Sequence, residues 1–242
     1  MAQESILLTG ATGNVGAVTL DQLLTTTSHT VNAILRKATY IPLLEKKYPD
    51  EVANKRLSFT IIPDMTTPGA FDTAAASSTA IVHIATPIAT DNWVEEMIKP
   101  TWDIDRHVLE AAKKSGSVKR VVICGTILQT LGLPELAQSD LVISEESWNS
   151  TTFEQAKEGP FIYAYPYAKT DAEKKTWAWV QQNGHSIGFD VVMLLPSSIT
   201  GRSPQVTYNP SGGGPGGIPQ TANALLVSKT AAAVDGGFPF VV

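Results

Sequence analysis

Short runs of β-branched and aliphatic residues alternate along the chain with longer segments whose apolar positions recur at helical spacing. The short runs predict strands near Ile6–Thr9, Thr30–Leu35, Leu57–Ile62, Ala80–Ile84, Val118–Cys124 and Asp190–Leu195, with helices in the gaps. Strand, helix and strand in repetition are the order of βαβ units, so the predicted fold class is α/β with a doubly wound parallel sheet. The runs "AIVHIA" and "RVVICG" are almost continuously apolar, as strands covered on both faces are, which predicts a central place for both. From Trp93 to Ser115 the apolar positions keep a helical period and end at Lys113, Lys114 and Gly116, which are stop signals. Pro100 either kinks that helix or marks its start.

After Leu195 the pattern changes. "GRSPQVTYNPSGGGPGGIPQ" reads as a loop, "TANALLVSKTAAAV" as one more helix, and "GGFPFVV" as an apolar, strand-like run with no closing element. Such a run calls for something to cover it. The expected organisation is a dinucleotide-binding domain over residues 1–195 and a small, incomplete substrate-binding segment over 196–242, in a natural truncation or a fragment.

Composition narrows the class of partner. The 242 residues are 43% hydrophobic and 17% charged, ordinary for a folded domain, and the formal net charge is -5. With no long basic run, nucleic acid and anionic membrane are not expected partners, and small molecules are. Cys124 is the single cysteine, so no intrachain disulfide forms, and no Cys/His spacing suits a metal. "MAQESILLTG" is too short and acidic for a signal peptide, and no apolar run approaches the ~20 residues of a membrane span, so a cytoplasmic location is expected.

The first predicted βαβ unit carries candidate chemistry. In "ILLTGATGNVGAVTLDQLL" a strand leads into Gly10, Gly13 and Gly16 and then a helix. Glycine lets the main chain approach a ligand with no Cβ in the way, and N–H groups at a helix start attract a pyrophosphate. Triplet, strand and helix together predict a Rossmann-type dinucleotide site, with Thr12, Asn14 and Val15 completing the loop. At the end of the second strand, where a carboxylate would hold the ribose hydroxyls of NAD, "ILRKAT" places Arg36 and Lys37. Their charge suits a 2′-phosphate, so NADP(H) is the expected cofactor.

A second feature lies in "YAYPYAKTDAEKK", residues 163–175, whose alternating tyrosines look like a strand. Only Tyr165 stands four residues before a lysine, Lys169, and on a helix these two share a face. A free tyrosine, with a pKa near 10, is a poor acid or base at neutral pH, and a neighbouring ammonium favours the phenolate. The segment is therefore expected to open a helix, with Pro166 tolerated in its first turn.

Taken together, TGxxGxxG, Tyr-x-x-x-Lys and a hydroxyl residue after the fifth strand resemble the extended short-chain dehydrogenase/reductase superfamily. "SEESWNSTTFEQ", "AYPYAKTDAEKKTWAW" and "LLPSSITGR" look most like its fungal and plant dihydroflavonol reductase-like NADPH-dependent carbonyl reductases, of methylglyoxal type. The resemblance, from about Ser5 to Val242, implies reduction of an aldehyde or ketone to an alcohol. It implies that Thr126 of "VVICGTIL" holds the substrate carbonyl, with Cys124 and Gly125 in place of the more usual Thr and Ser. By the same likeness Tyr165 gives its proton to the carbonyl oxygen, while Lys169 binds the nicotinamide ribose and lowers the tyrosine pKa. Asp64 meets the adenine, "HIATP" with Ala85 and Thr86 lines the dinucleotide, and Pro196 to Ile199 flank the nicotinamide; His83 is a packed strand residue. Asp103 stands where the family commonly has asparagine. Relatives pair helices like those at Trp93 to Ala112 and Tyr165 to Trp179 in a four-helix dimer contact, so a monomer or a homodimer is expected. Two other readings stay open: an NAD-dependent sugar-nucleotide epimerase or dehydratase on the same scaffold, and a non-catalytic NADP-binding module without a complete substrate lobe.

Overall fold

The chain's computed structural model describes residues 3–89, 91–132, 140, 142–197 and 199. In chain order the elements are β1 (Ser5–Thr9), α1 (Asn14–Thr26), β2 (Thr30–Leu35), α2 (Ile41–Lys47), α3 (Pro49–Ala53), β3 (Leu57–Ile61), α4 (Asp72–Ala76) and β4 (Ala80–His83). There follow α5 (Lys99–Ser115), β5 (Arg120–Cys124), α6 (Phe153–Glu158), α7 (Phe161–Asn183) and β6 (Asp190–Leu194). All six strands run parallel in the order β3-β2-β1-β4-β5-β6. The chain starts at the middle of the sheet, winds outward to β3, then crosses back to β4. This reversal leaves a crevice beyond the carboxyl ends of β1 and β4, the place where open α/β sheets bind ligands.

The two-residue period of the strands splits the core. Leu7 and Ile34 face one cluster with Phe71 and, from α5, Val108 and Leu109. Leu8, Ala33 and Leu35 face the other, against Leu20 and Leu24 of α1. Burial of such a side chain contributes about 1.5–3 kcal/mol, and both faces of β1 and β2 gain it, which explains their unbroken apolar runs. β4 and β5 are central, as expected. Their cover is complete on one face only: Ile81, His83, Val121 and Ile123 are buried, whereas Val82 and Val122 are half-buried. That corrects the expectation of equal burial on both faces of these two strands among the described residues.

Two helix starts also differ from the pattern. Residues Val94–Ile98 form a π turn, and α5 proper begins at Lys99 with Pro100 in its first turn, so the proline marks a start. α5 ends on the left-handed Gly116 after Lys113 and Lys114. α7 begins at Phe161, ahead of the tyrosines, and Pro166 lies inside it, not in its first turn. Without an N–H, Pro166 cannot bond the carbonyl of Ile162. The helix persists because Ala164, Ala168 and their neighbours pack into a third apolar cluster with Met97, Ile98 and Ala156.

Of the expected second segment only Pro196, Ser197 and Ile199 belong to the described residues. The loop from Gly201, the helix over 221–234 and the apolar run at 236–242 lie outside them. Among the described residues no helix is long and apolar enough to cross a membrane, and no group of His, Cys, Asp and Glu could hold a metal ion.

Candidate functional site

Because the strands are parallel, whatever follows each strand's last residue gathers at one edge of the sheet. Gly10 follows β1, Arg36 and Lys37 follow β2, and Asp64 lies just beyond β3. Ala85 and Thr86 follow β4, Thr126 follows β5, and Pro196 and Ile199 follow β6. The topology thus brings every candidate outside α7 and the start of α1 to the same edge.

At β1 the main chain shapes the site. Gly10 has φ +75°, in the left-handed region, and a Cβ there would sit 2.9 Å from the Ala85 amide nitrogen. Gly16 passes so close to this turn that its Cβ would meet Gly10 O at 2.0 Å. The turn closes through Gly13 N–H to Gly10 O at 2.8 Å. Gly13 is the exposed N-cap of α1 and gives no side-chain cap, and no acidic residue sits in the first turn. A helix start without competing anions or bulk fits a pyrophosphate. Thr12, Asn14 and Val15 are half-buried around it, and Arg36 and Lys37 are exposed. Asp64 is exposed and accepts from Thr66 N–H at 2.8 Å and Thr66 Oγ1 at 2.6 Å, bonds that hold its carboxyl below the usual range.

Thr9, which is fully buried, ties this turn to β4. Its Oγ1 accepts from the N–H groups of Ile84 and Ala85, both at 3.0 Å. Having accepted twice, the hydroxyl gives its one proton to His83 Nδ1 at 2.8 Å, which leaves the imidazole proton on Nε2. Nε2 faces Asp105 Oδ1 at 3.0 Å without the alignment of a hydrogen bond. His83 is thus the packed strand residue the sequence predicts, and its work is to hold Thr9.

The other side of the crevice is built from β5 and α7. Lys169 is 3% exposed, and its Nζ donates to Cys124 O at 3.0 Å and Thr86 Oγ1 at 3.2 Å. Among the described residues no carboxylate pairs with it. Tyr165, one turn earlier, stacks on Phe161 with centroids 5.4 Å apart, and Phe161 meets Trp93 edge-on at 5.9 Å. Burial pushes the Tyr165 hydroxyl up to about 12, with a smaller push from Cys124. The lowering expected from Lys169 is not what the chain by itself shows: the lysine donates to two other oxygens, and loss of water around the phenol sets the direction. Burial also raises the Cys124 thiol, against a smaller opposing pull from Lys169. Thr126 adopts an extended conformation and caps the short 3-10 turn Ile127–Gln129, accepting from Leu128 N–H at 3.3 Å. Ile127 N–H donates to Pro196 O at 2.9 Å, so the segment after β6 lies against this turn.

Thr9, Asp105, Phe161, Gln129 and Glu173 join the site in the fold although no motif in the sequence marks them out as a set. A signal existed for two of them. Thr126-x-x-Gln129 is a capping-box spacing, and Glu173 continues the four-residue series of Tyr165 and Lys169 along one face of α7.

The NAD dependent epimerase/dehydratase family matches residues 6–232. The chain belongs to this family. It is 32% identical over 218 residues to ketoreductase CTB6 of Cercospora nicotianae, covering 86% of this chain and 59% of that protein. It is 28% identical over 202 residues to aldehyde reductase 2 of Sporidiobolus salmonicolor, covering 81% and 57%. Among solved structures, Gre2 from Candida albicans in complex with NADPH matches with a TM-score of 0.72 at 25% identity, over 80% of this chain and 57% of that one. The chain thus spans under three fifths of the length of each of these relatives.

Proposed function

We propose that this chain is an NADP(H)-dependent oxidoreductase acting on CH-OH groups, which reduces an aldehyde or ketone to an alcohol. The observation that carries the reading is a buried ammonium, Lys169, held by two neutral oxygens at the carboxyl edge of the sheet, one helical turn from the half-buried phenol of Tyr165. Kinship with a ketoreductase and an aldehyde reductase supports it, and the cofactor bound by Gre2 supports NADPH.

In this reading the loop from Gly10 through Thr12, Gly13, Asn14 and Val15 to Gly16 admits the pyrophosphate, and Arg36 and Lys37 attract the 2′-phosphate. Asp64 meets the adenine, Ala85 and Thr86 line the dinucleotide, and Pro196 and Ile199 flank the nicotinamide. Lys169 holds the adjoining ribose. When bound, the cofactor supplies hydride to the carbonyl carbon. Thr126 offers its hydroxyl proton to the carbonyl oxygen as a hydrogen bond, since Leu128 N–H already occupies one of its lone pairs. Tyr165 transfers its proton to that oxygen as charge develops there. With its pKa pushed up to about 12, the phenol keeps this proton throughout the neutral range, which suits the reducing direction. Residues 1–195 serve as the dinucleotide-binding domain, and the segment from Pro196 onward begins the substrate side.

Replacing Tyr165 with phenylalanine tests the assignment. The Y165F variant is expected to lose roughly 100-fold or more in kcat while binding NADPH as the wild type does. Wild-type turnover in Y165F would remove the tyrosine from the mechanism. The family's name also covers epimerases and dehydratases. Retention of NAD through purification together with turnover of a sugar nucleotide would favour that reading, which lacks a carboxylate where Arg36 and Lys37 stand.

A further inference from the structure

We infer that Gln129 is a positioning residue, a clamp that fixes the Thr126 turn against helix α7 and so sets the threonine hydroxyl relative to Tyr165 and Lys169. The inference rests on the carbonyl-reductase reading above and names what holds its two catalytic elements in register. Gln129 is fully buried and uses both ends of its amide. Its Oε1 accepts from Thr126 N–H at 2.7 Å, and its Nε2 donates to Glu173 Oε2. Glu173, itself 6% exposed, accepts a second bond at Oε1 from Trp177 Nε1–H at 3.1 Å. The amide therefore has one orientation: turned over, it would set its NH2 against the Thr126 N–H and its oxygen against the carboxylate.

Gly125 makes room for this arrangement. A Cβ there would meet Gln129 Oε1 at 2.3 Å and Leu195 Cδ2 at 2.6 Å, so the glutamine fills the space that a side chain at 125 would take. A capping box needs only its own turn. Here the capping glutamine reaches beyond the turn to a carboxylate four residues after Lys169 and eight after Tyr165, on the face that carries both. A shift of the amide moves Thr126 relative to the phenol and the ammonium together. Reactions that depend on alignment lose about 100-fold in rate for a displacement of about 1 Å.

The test is a set of full-length variants, Q129A, Q129E, E173Q and the exchange Q129E/E173Q, measured for kcat, KM, NADPH affinity and melting temperature with a carbonyl that the wild type reduces. Q129E places two carboxylates face to face. The exchange restores every bond: the carboxylate now at position 129 accepts from Thr126 N–H and from the amide now at position 173, and the oxygen of that amide accepts from Trp177. Expected are losses of about 100-fold in kcat for Q129A and Q129E with NADPH affinity within about twofold, and recovery to within about tenfold of wild type in the exchange. Unchanged kcat in Q129A and Q129E, or an exchange no better than Q129E alone, overturns the clamp while leaving the function intact. A wild type that reduces no carbonyl overturns both. Should the single variants not fold, hydrogen exchange in the wild type decides: a slowly exchanging Thr126 amide supports the clamp, and fast exchange overturns it.

Discussion

On the β1 side of the crevice the site is shaped by main chain passing through glycines, whereas on the β5 side it is held by hydrogen bonds that buried side chains make between elements. Gly10 and Gly16 have no room for a Cβ because backbone atoms crowd them. Gln129 instead ties the Thr126 N–H to Glu173 of α7, and Lys169 reaches from α7 to Cys124 O and Thr86 Oγ1, so side chains carry the contacts between elements. The difference teaches where tolerance lies. A backbone contact cannot be compensated by exchanging a partner, but a hydrogen-bonded pair of side chains can be reversed with its bonds restored. The first side should therefore be rigid toward substitution and the second open to paired exchange.

The sharpest way to break this contrast is Gly16→Ala. Its Cβ would stand 2.0 Å from Gly10 O, a backbone atom that cannot step aside without moving the loop. The variant is expected to lose NADPH affinity by about 100-fold or more and to fall in stability by about 1–3 kcal/mol, read by titration and denaturant unfolding. Wild-type affinity in that variant would show that the close approach is not needed.

A smaller effect is expected from Thr9→Val, which keeps the shape but leaves the N–H groups of Ile84 and Ala85 and the ring of His83 without their shared partner. Stability should fall by about 1–3 kcal/mol, and NADPH affinity should fall less than in Gly16→Ala. Equal stability would mean that Thr9 does not hold the two strand ends together.

The smallest effect concerns pH. The folded chain keeps the Tyr165 proton as pH rises from 10 toward about 12, while the unfolded chain gives it up near 10. The tyrosine's contribution to stability is therefore whole below pH 10 and lost as pH climbs through about 12. Denaturant midpoints across that window should fall more steeply for wild type than for Y165F, and parallel curves would deny that burial governs this phenol.

The backbone half of the site was legible in the sequence because its requirements act locally. Gly10, Gly13 and Gly16 between a strand and a helix have few other uses, and strand ends such as "ILRKAT" could be placed once the period was read. The side-chain half was less legible. Gln129 and Glu173 are polar types that usually face water, and only the fold reveals that they bury each other. α7 starts at Phe161, two residues ahead of the tyrosines that mark it in the sequence, and packing of Ala164 and Ala168, not local preference, carries the helix through Pro166. The direction of the Tyr165 shift depends on how far the fold strips water from its phenol, which motif spacing does not weigh.

The central claim is tested most directly by mixing the full chain with NADPH and a panel of aldehydes and ketones and following cofactor oxidation alongside binding. NADPH should bind more tightly than NADH and be oxidised with at least one carbonyl, one alcohol formed for each NADPH consumed. Binding of NADPH with no oxidation across the panel, or equal use of NADH, would contradict the account.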